Sequence, residues 1–192
     1  AAALLEVLRR PVPKWLTWTG IVSAFCVAAY TGFLLGVVSA YPLWNNAILP
    51  VLFVVSALSA GLAATSLVGL ITDRERFEQM WLIKKSHVIL SAIEMVVLAT
   101  MLIIVSSGSP EGAASVASLV SGQYAPMFWG GLVLLGLVAP FAIEGYPVFV
   151  TRKVETSTTS MVVSVIGEGG VLVGGFMLRL LVILAALPVL YL

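Results

Sequence analysis

Charge is the scarcest feature of this sequence. Only 10% of its 192 residues are Asp, Glu, Lys or Arg, against about 25% in a soluble domain. Hydrophobic residues make up 60% and mean hydropathy is +1.11. This excludes an ordinary soluble domain and leaves an integral membrane protein. A net charge of +1 offers no case for nucleic acid. The single cysteine, Cys26, can form no internal disulfide, and one thiol makes no metal site. It lies in an apolar run and is expected to be a helical core residue. The single histidine, His87, leaves no pair of axial ligands for a b-type haem. There is also no initiator Met and no cleavable signal. Residues 1–7 are too short for a signal's apolar core, and Arg9 and Arg10 follow that stretch instead of preceding it. The protein is expected to be a processed or incomplete piece.

What is present is long apolar runs. A bilayer crossing needs about 20 apolar residues, and five segments qualify: 15–39, 47–71, 84–106, 126–149 and 161–190. Pro11, Pro13 and Lys14 precede the first, and Pro42 and Pro50 flank the start of the second. A charged stretch over 73–85 separates the second from the third. Residues 107–123 read as a small-residue loop, and 151–160 precede the fifth segment. The runs are continuous in Leu, Ala, Gly and Val, without the alternation of a barrel strand. The expected fold is all-α: a single transmembrane domain of five helices.

Lys and Arg are missing from one side of this arrangement. Arg9, Arg10 and Lys14, then Arg74, Arg76, Lys84 and Lys85, then Arg152 and Lys153 all fall on one side of a five-span protein. The connections at 41–46 and 107–123 and the tail after 190 carry none. The positive-inside rule then places the N-terminus in the cytoplasm and the C-terminus outside. Small residues recur within the spans: Ser56, Ser59, Ala60, Gly61 and Ala64; Gly130, Gly131 and Gly136; Gly167, Gly169, Gly170, Gly174 and Gly175. Such residues permit close helix packing in lipid, or make room for a flat ligand.

Ionisable residues at membrane depth are expensive and point to function. Glu94 is about ten residues into the third span, roughly 15 Å deep at 1.5 Å per residue. Glu168 and Arg179 share the fifth span. Eleven residues is close to three turns, so both face one side, about 16 Å apart. Each therefore needs a partner from elsewhere. Glu144 lies late in the fourth span, as an interfacial acid or as part of a polar route. His87 precedes Glu94 by two turns and shares its face, as a relay or an interfacial residue. In order of depth, His87 and Glu144, then Glu94 and Glu168, then Arg179 and Tyr30, outline a proton route.

The stretch 30–46 joins a phenol, Tyr30, in an apolar run to a short uncharged loop of Tyr41, Pro42, Leu43, Trp44, Asn45 and Asn46. Pro42 ends any helix, and Tyr and Trp suit a membrane interface. YTGFLLG, PLWNN, ILPVLFVVSALSAGLA and GGFMLRLLVIL resemble the membrane subunit of polysulfide-reductase-type complexes, the NrfD-like family, also called PsrC-like. The resemblance covers most of the sequence. It implies a haem-free helical bundle that binds menaquinone or another quinone in a prokaryotic inner membrane. It also implies an iron–sulfur electron-transfer subunit on the outer face and a further catalytic or cytochrome subunit. By this resemblance Tyr30 matches the family's quinone-site tyrosine, and Arg179 matches the arginine of its last helix. Tyr41, Trp44, Asn45 and Asn46 would sit where the iron–sulfur partner docks. The family usually has eight helices, and this sequence looks like the last five. Two further readings compete with quinone chemistry. A passive anchor predicts no need for the buried charges. A transporter expects inverted repeats, and none is evident.

Overall fold

A computed structural model of the protein describes residues 13–72, 81–146, 149 and 158–187. Of the nine cations that set the expected orientation, Lys14, Lys84 and Lys85 are among these. Arg9, Arg10, Arg74, Arg76, Arg152 and Lys153 lie outside the described residues.

In lipid every backbone N–H and C=O must be satisfied within its own segment, so uninterrupted apolar runs become helices. The spanning elements are α1 (Lys14–Gly36), α2 (Ile48–Thr72) and α3 (Trp81–Gly108). A fourth span follows in two parts, π1 (Met127–Val138) and α5 (Ala139–Tyr146). The last is α6 (Thr158–Leu184). All five spans are long and apolar enough to cross a membrane, and no strand occurs among the described residues.

The stretch expected as a loop at 107–123 instead contains a short helix, α4 (Pro110–Val120). Its start is specified locally. The Ser109 hydroxyl accepts the Gly112 N–H at 3.0 Å, Pro110 occupies the first turn, and Glu111 places a negative charge there. The first span ends at Gly36, short of the expected residue 39, as Val37 N–H returns to Phe33 O at 3.2 Å. The Asn46 side chain then accepts the Ile48 N–H at 2.9 Å and opens α2.

Four spans form a ring: α2 packs on α3, α3 on α5, the π1–α5 rod on α6, and α6 on α2. The helices α3 and α6 therefore face each other diagonally. The first span packs chiefly on α2 and lies outboard. Cys26 is on its exposed side, not in the core as expected, because only Ala29 and Gly32 of α1 are buried.

Glycines set the closest approaches. A Cβ at Gly136 of π1 would come 2.5 Å from the Gly174 Cα of α6. A Cβ at Gly32 of α1 would come 2.5 Å from the Pro50 Cα of α2. These positions are packing contacts and leave no room for a flat ligand.

The interior is divided along its length. At the Trp44 end it is apolar, with Leu49, Leu52, Phe53, Leu98, Met101, Leu178, Leu181 and Val182. The same three helices turn polar inside toward the Lys84 end, through Ser56 and Ser59 of α2, Lys84, His87, Ser91 and Glu94 of α3, and Ser164 and Glu168 of α6.

Candidate functional site

The polar half of the bundle is built from three stripes. On α3, residues 84, 87, 91 and 94 recur at spacings of three and four, which keeps them on one helical face. On α2, residues 56, 59, 63 and 66 do the same, and on α6 residues 164, 168, 175 and 179, at spacings of four, seven and four, also share one face. The ring of helices aims these stripes at a common interior. The α3 stripe spans about 15 Å at 1.5 Å per residue.

At its first level, Lys84 Nζ lies 2.8 Å from Glu144 Oε2 of α5 and donates to Ser164 Oγ of α6 at 2.8 Å. Glu144 is 1% exposed. It is a buried partner of a cation and not an interfacial acid. The course of α5 after Pro140 carries it inward, against α3.

At the second level, His87 Nδ1 of α3 and Glu168 Oε2 of α6 are 3.0 Å apart, each residue 1% exposed. The pair bridges the diagonal of the ring. The contact is close but lacks the alignment of a hydrogen bond, and His87 Nε2 and Glu168 Oε1 have no partner among the described residues. His87 shares the Glu94 face, as its spacing implies. Its nearest acid is nevertheless Glu168, from another helix.

At the third level, the Ser56 hydroxyl donates to the Glu94 carboxylate, and Arg179 attracts it from α6. Glu94 is 4% exposed. Arg179 Nη1 donates to Gly175 O at 2.7 Å, and its guanidinium carbon lies 5.5 Å from the centre of the Phe53 ring. Glu94 and Arg179 attract each other without a direct ion pair. Between the second and third levels, Ser59 Oγ is buried with no partner among the described residues.

Lys84, Ser56, Ser59 and Ser164 join this ladder although sequence reasoning did not single them out for it. The signal for Lys84 was its place three residues before His87. Ser56 and Ser59 were visible only as small packing residues. No group of three metal-ligating side chains occurs among the described residues.

Tyr30 lies elsewhere. It is 59% exposed on α1. Arg179 has Gly175, Phe53 and Glu94 beside it. The loop after it folds back on the bundle. Trp44 Nε1–H donates to Val182 O at 2.8 Å, and the rings of Tyr41 and Trp44 pack with centres 4.2 Å apart. Asn46 is engaged at the start of α2, while Asn45 is exposed.

Five apolar spans, four of them ringed around a stack of buried ionisable groups, define a multi-pass membrane protein whose interior holds charge. The protein belongs to the NrfD family: the profile described as polysulphide reductase, NrfD, matches residues 1–190. It is 30% identical over 182 residues to Protein NrfD of Escherichia coli, covering 93% of this sequence and 54% of that protein. It is 33% identical over 128 residues to the C subunit of the polysulfide reductase of Wolinella succinogenes, covering 64% and 40%. It is 28% identical over 166 residues to a Protein NrfD homolog of Haemophilus influenzae, covering 85% and 50%. The sequence thus spans about half the length of the curated relatives it matches. No solved structure matches it.

Proposed function

We propose that this protein is the quinone- or quinol-interacting membrane subunit of a multi-subunit oxidoreductase in a prokaryotic inner membrane, and that it carries protons while a partner carries electrons. The observation that carries this reading is the ladder of buried ionisable groups from Lys84 to Arg179, in a member of the NrfD family. Each charged group at membrane depth costs roughly 2.5–3.5 kcal/mol on insertion scales. A passive anchor has no use for that expense. Neither does it need three levels of ionisable groups stacked at helical spacing.

A quinone bound by this subunit is the redox carrier, and its two-electron chemistry requires protons to be taken up or released. Tyr30 suits its head group in one respect: a phenol on a lipid-facing surface both donates and accepts at one oxygen. Arg179 belongs to the ladder and acts on Glu94. In this reading Glu94, Glu168, His87 and Glu144 hold and pass protons, and Lys84 and Arg179 balance their charge. The Lys84 end is cytoplasmic, and the Tyr41–Asn46 loop faces outside, where an iron–sulfur subunit docks on it. A further catalytic or cytochrome subunit completes the complex.

Replacing Tyr30 with Phe keeps the ring and removes only the hydroxyl. Quinol turnover by the assembled complex should then fall about tenfold or more, since a hydrogen bond of roughly 1.5 kcal/mol corresponds to such a factor. Wild-type quinol kinetics in Tyr30→Phe would show that the head group binds elsewhere.

A further inference from the structure

His87 and Glu168 differ from the other buried ionisable residues in how they are compensated. Glu144 has Lys84 at 2.8 Å, and Glu94 has both the Ser56 hydroxyl and Arg179. Among the described residues the one group paired with Glu168 is His87, and the acid paired with His87 is Glu168. Glu94 acts on His87 only at a distance, from two turns along α3. His87 and Glu168 are both 1% exposed.

Burial makes the number of protons on this pair a matter of charge balance. With no proton, a carboxylate faces a neutral imidazole and its charge is uncompensated. With two, an imidazolium faces a neutral acid. Either state leaves one bare charge in a medium where isolated charges are strongly disfavoured. With one proton the pair is neutral overall, as imidazolium with carboxylate or as imidazole with carboxylic acid. The two forms interconvert by moving that proton across the 3.0 Å contact, from one side of the bundle to the other.

We propose that His87 and Glu168 together form a proton-storage site that holds one proton and exchanges it through their two unpartnered atoms. This rests on the proton-handling reading above and gives it a location. His87 Nε2 and Glu168 Oε1 are each buried with no partner among the described residues. Buried polar atoms in that condition are normally served by ordered water. Water at these atoms would connect the pair on one side to the unpartnered Glu144 Oε1 and on the other to Ser59 Oγ and Glu94. A proton entering beside Glu144 displaces the stored one toward Glu94. The pair is never left charged, because one proton arrives as the other leaves. Among the described residues the charged groups packed around this site are Lys84 on α3, Glu144 on α5, Glu94 on α3 and Arg179 on α6, with Lys84 beside Glu144 and Arg179 attracting Glu94.

The test is infrared spectroscopy of the intact complex at neutral pH, reading the carbonyl stretch of protonated carboxylic acids. In His87→Gln the stored proton has only Glu168 to occupy, so a protonated-acid band should be present and should shift in deuterium oxide. The double variant His87→Gln/Glu168→Gln removes both charges together and should assemble with that band gone. Absence of the band in His87→Gln would show that Glu168 is compensated without His87, and would overturn the proposal. The second measurement is proton movement coupled to turnover, which should fall at least tenfold in both His87→Gln and Glu168→Gln. Wild-type proton movement in both would overturn the proposal as well, since the stored proton would then lead nowhere. If His87→Gln does not assemble, Glu168→Gln with the double variant decides by the same proton-movement readout. The band is read without turnover, so a failure of the quinone assignment in Tyr30→Phe leaves it untouched.

Discussion

Each of the buried acids Glu94, Glu144 and Glu168 has a cation, a histidine or a hydroxyl beside it, yet Glu144 and Glu168 each keep an oxygen with no partner among the described residues. The acids were legible in the sequence because they interrupt apolar runs. Their partners were not. The Lys84–Glu144 and His87–Glu168 contacts join residues 60 and 81 positions apart on different helices, and periodicity reports only which face of one helix a residue shares. Tyr30 illustrates the reverse case, since its residue type and its place in an apolar run were legible, whereas its outward orientation depends on how α1 leans on α2. Removing the Lys84 charge should test the first level. Lys84→Met leaves Glu144 buried without its cation, and breaking one side of a buried pair costs about 3–5 kcal/mol. The expected outcome is loss of the assembled subunit from the membrane. Recovery in Lys84→Met/Glu144→Gln, measured as complex yield, is expected because both charges then leave together. Trp44 makes a milder case. Trp44→Phe keeps an aromatic ring against Tyr41 and loses the bond to Val182 O, at a cost of about 1 kcal/mol. A lowered midpoint of thermal unfolding, with the complex still assembled, would match that cost.

At the scale of elements, the five spans follow from their apolar length, and their ends agree with the sequence reading to within a few residues except at the last. The short helix α4 was equally specified, by Ser109, Pro110 and Glu111 at its start. It reads as a loop only when attention goes to its small residues and not to its cap. Ser109→Ala should fray its first turn, costing about 1 kcal/mol, visible as faster hydrogen exchange at the N–H of Gly112 and Ala113. The wide π1 turn was not legible at all. Its composition is that of any apolar helix, and the i→i−5 pattern, as in Ala139 N–H to Leu134 O, is a property of the assembled rod. Pro140 follows immediately and offers no N–H to a regular ladder. The contact that this rod makes with α6 depends on Gly136 meeting Gly174. Gly174→Leu should separate the two helices and abolish assembly, whereas Gly169→Ala, which meets open space, should be tolerated. Comparing the membrane-inserted yield of the two variants distinguishes packing from a general intolerance of side chains in α6.

At the scale of the whole molecule, the interior is apolar at the Trp44 end and charged toward the Lys84 end. Hydropathy averages over both halves and cannot show this division; it emerges when the α2, α3 and α6 stripes are set against one another. In the proposed function this arrangement admits protons from the polar side and keeps the other side sealed by hydrocarbon, where Trp44 and Leu119 of α4 pack on the apolar half. In our reading the Lys84 end faces the cytoplasm. Reporter fusions at Arg76 and Lys153 should then report the cytoplasm, and fusions near Gly112 the outside; one pair of opposite sign would reverse the direction assigned to the ladder. The most direct test of the central claim is the number of protons moved per quinol oxidised by the intact complex in sealed vesicles bearing Glu94→Gln. Gln keeps the shape of Glu94 and an acceptor for the Ser56 hydroxyl but cannot take on and release a proton. The ladder predicts an assembled complex in which proton movement, and turnover with it, falls at least tenfold. An assembled complex that moves protons and oxidises quinol at the wild-type rate would contradict it.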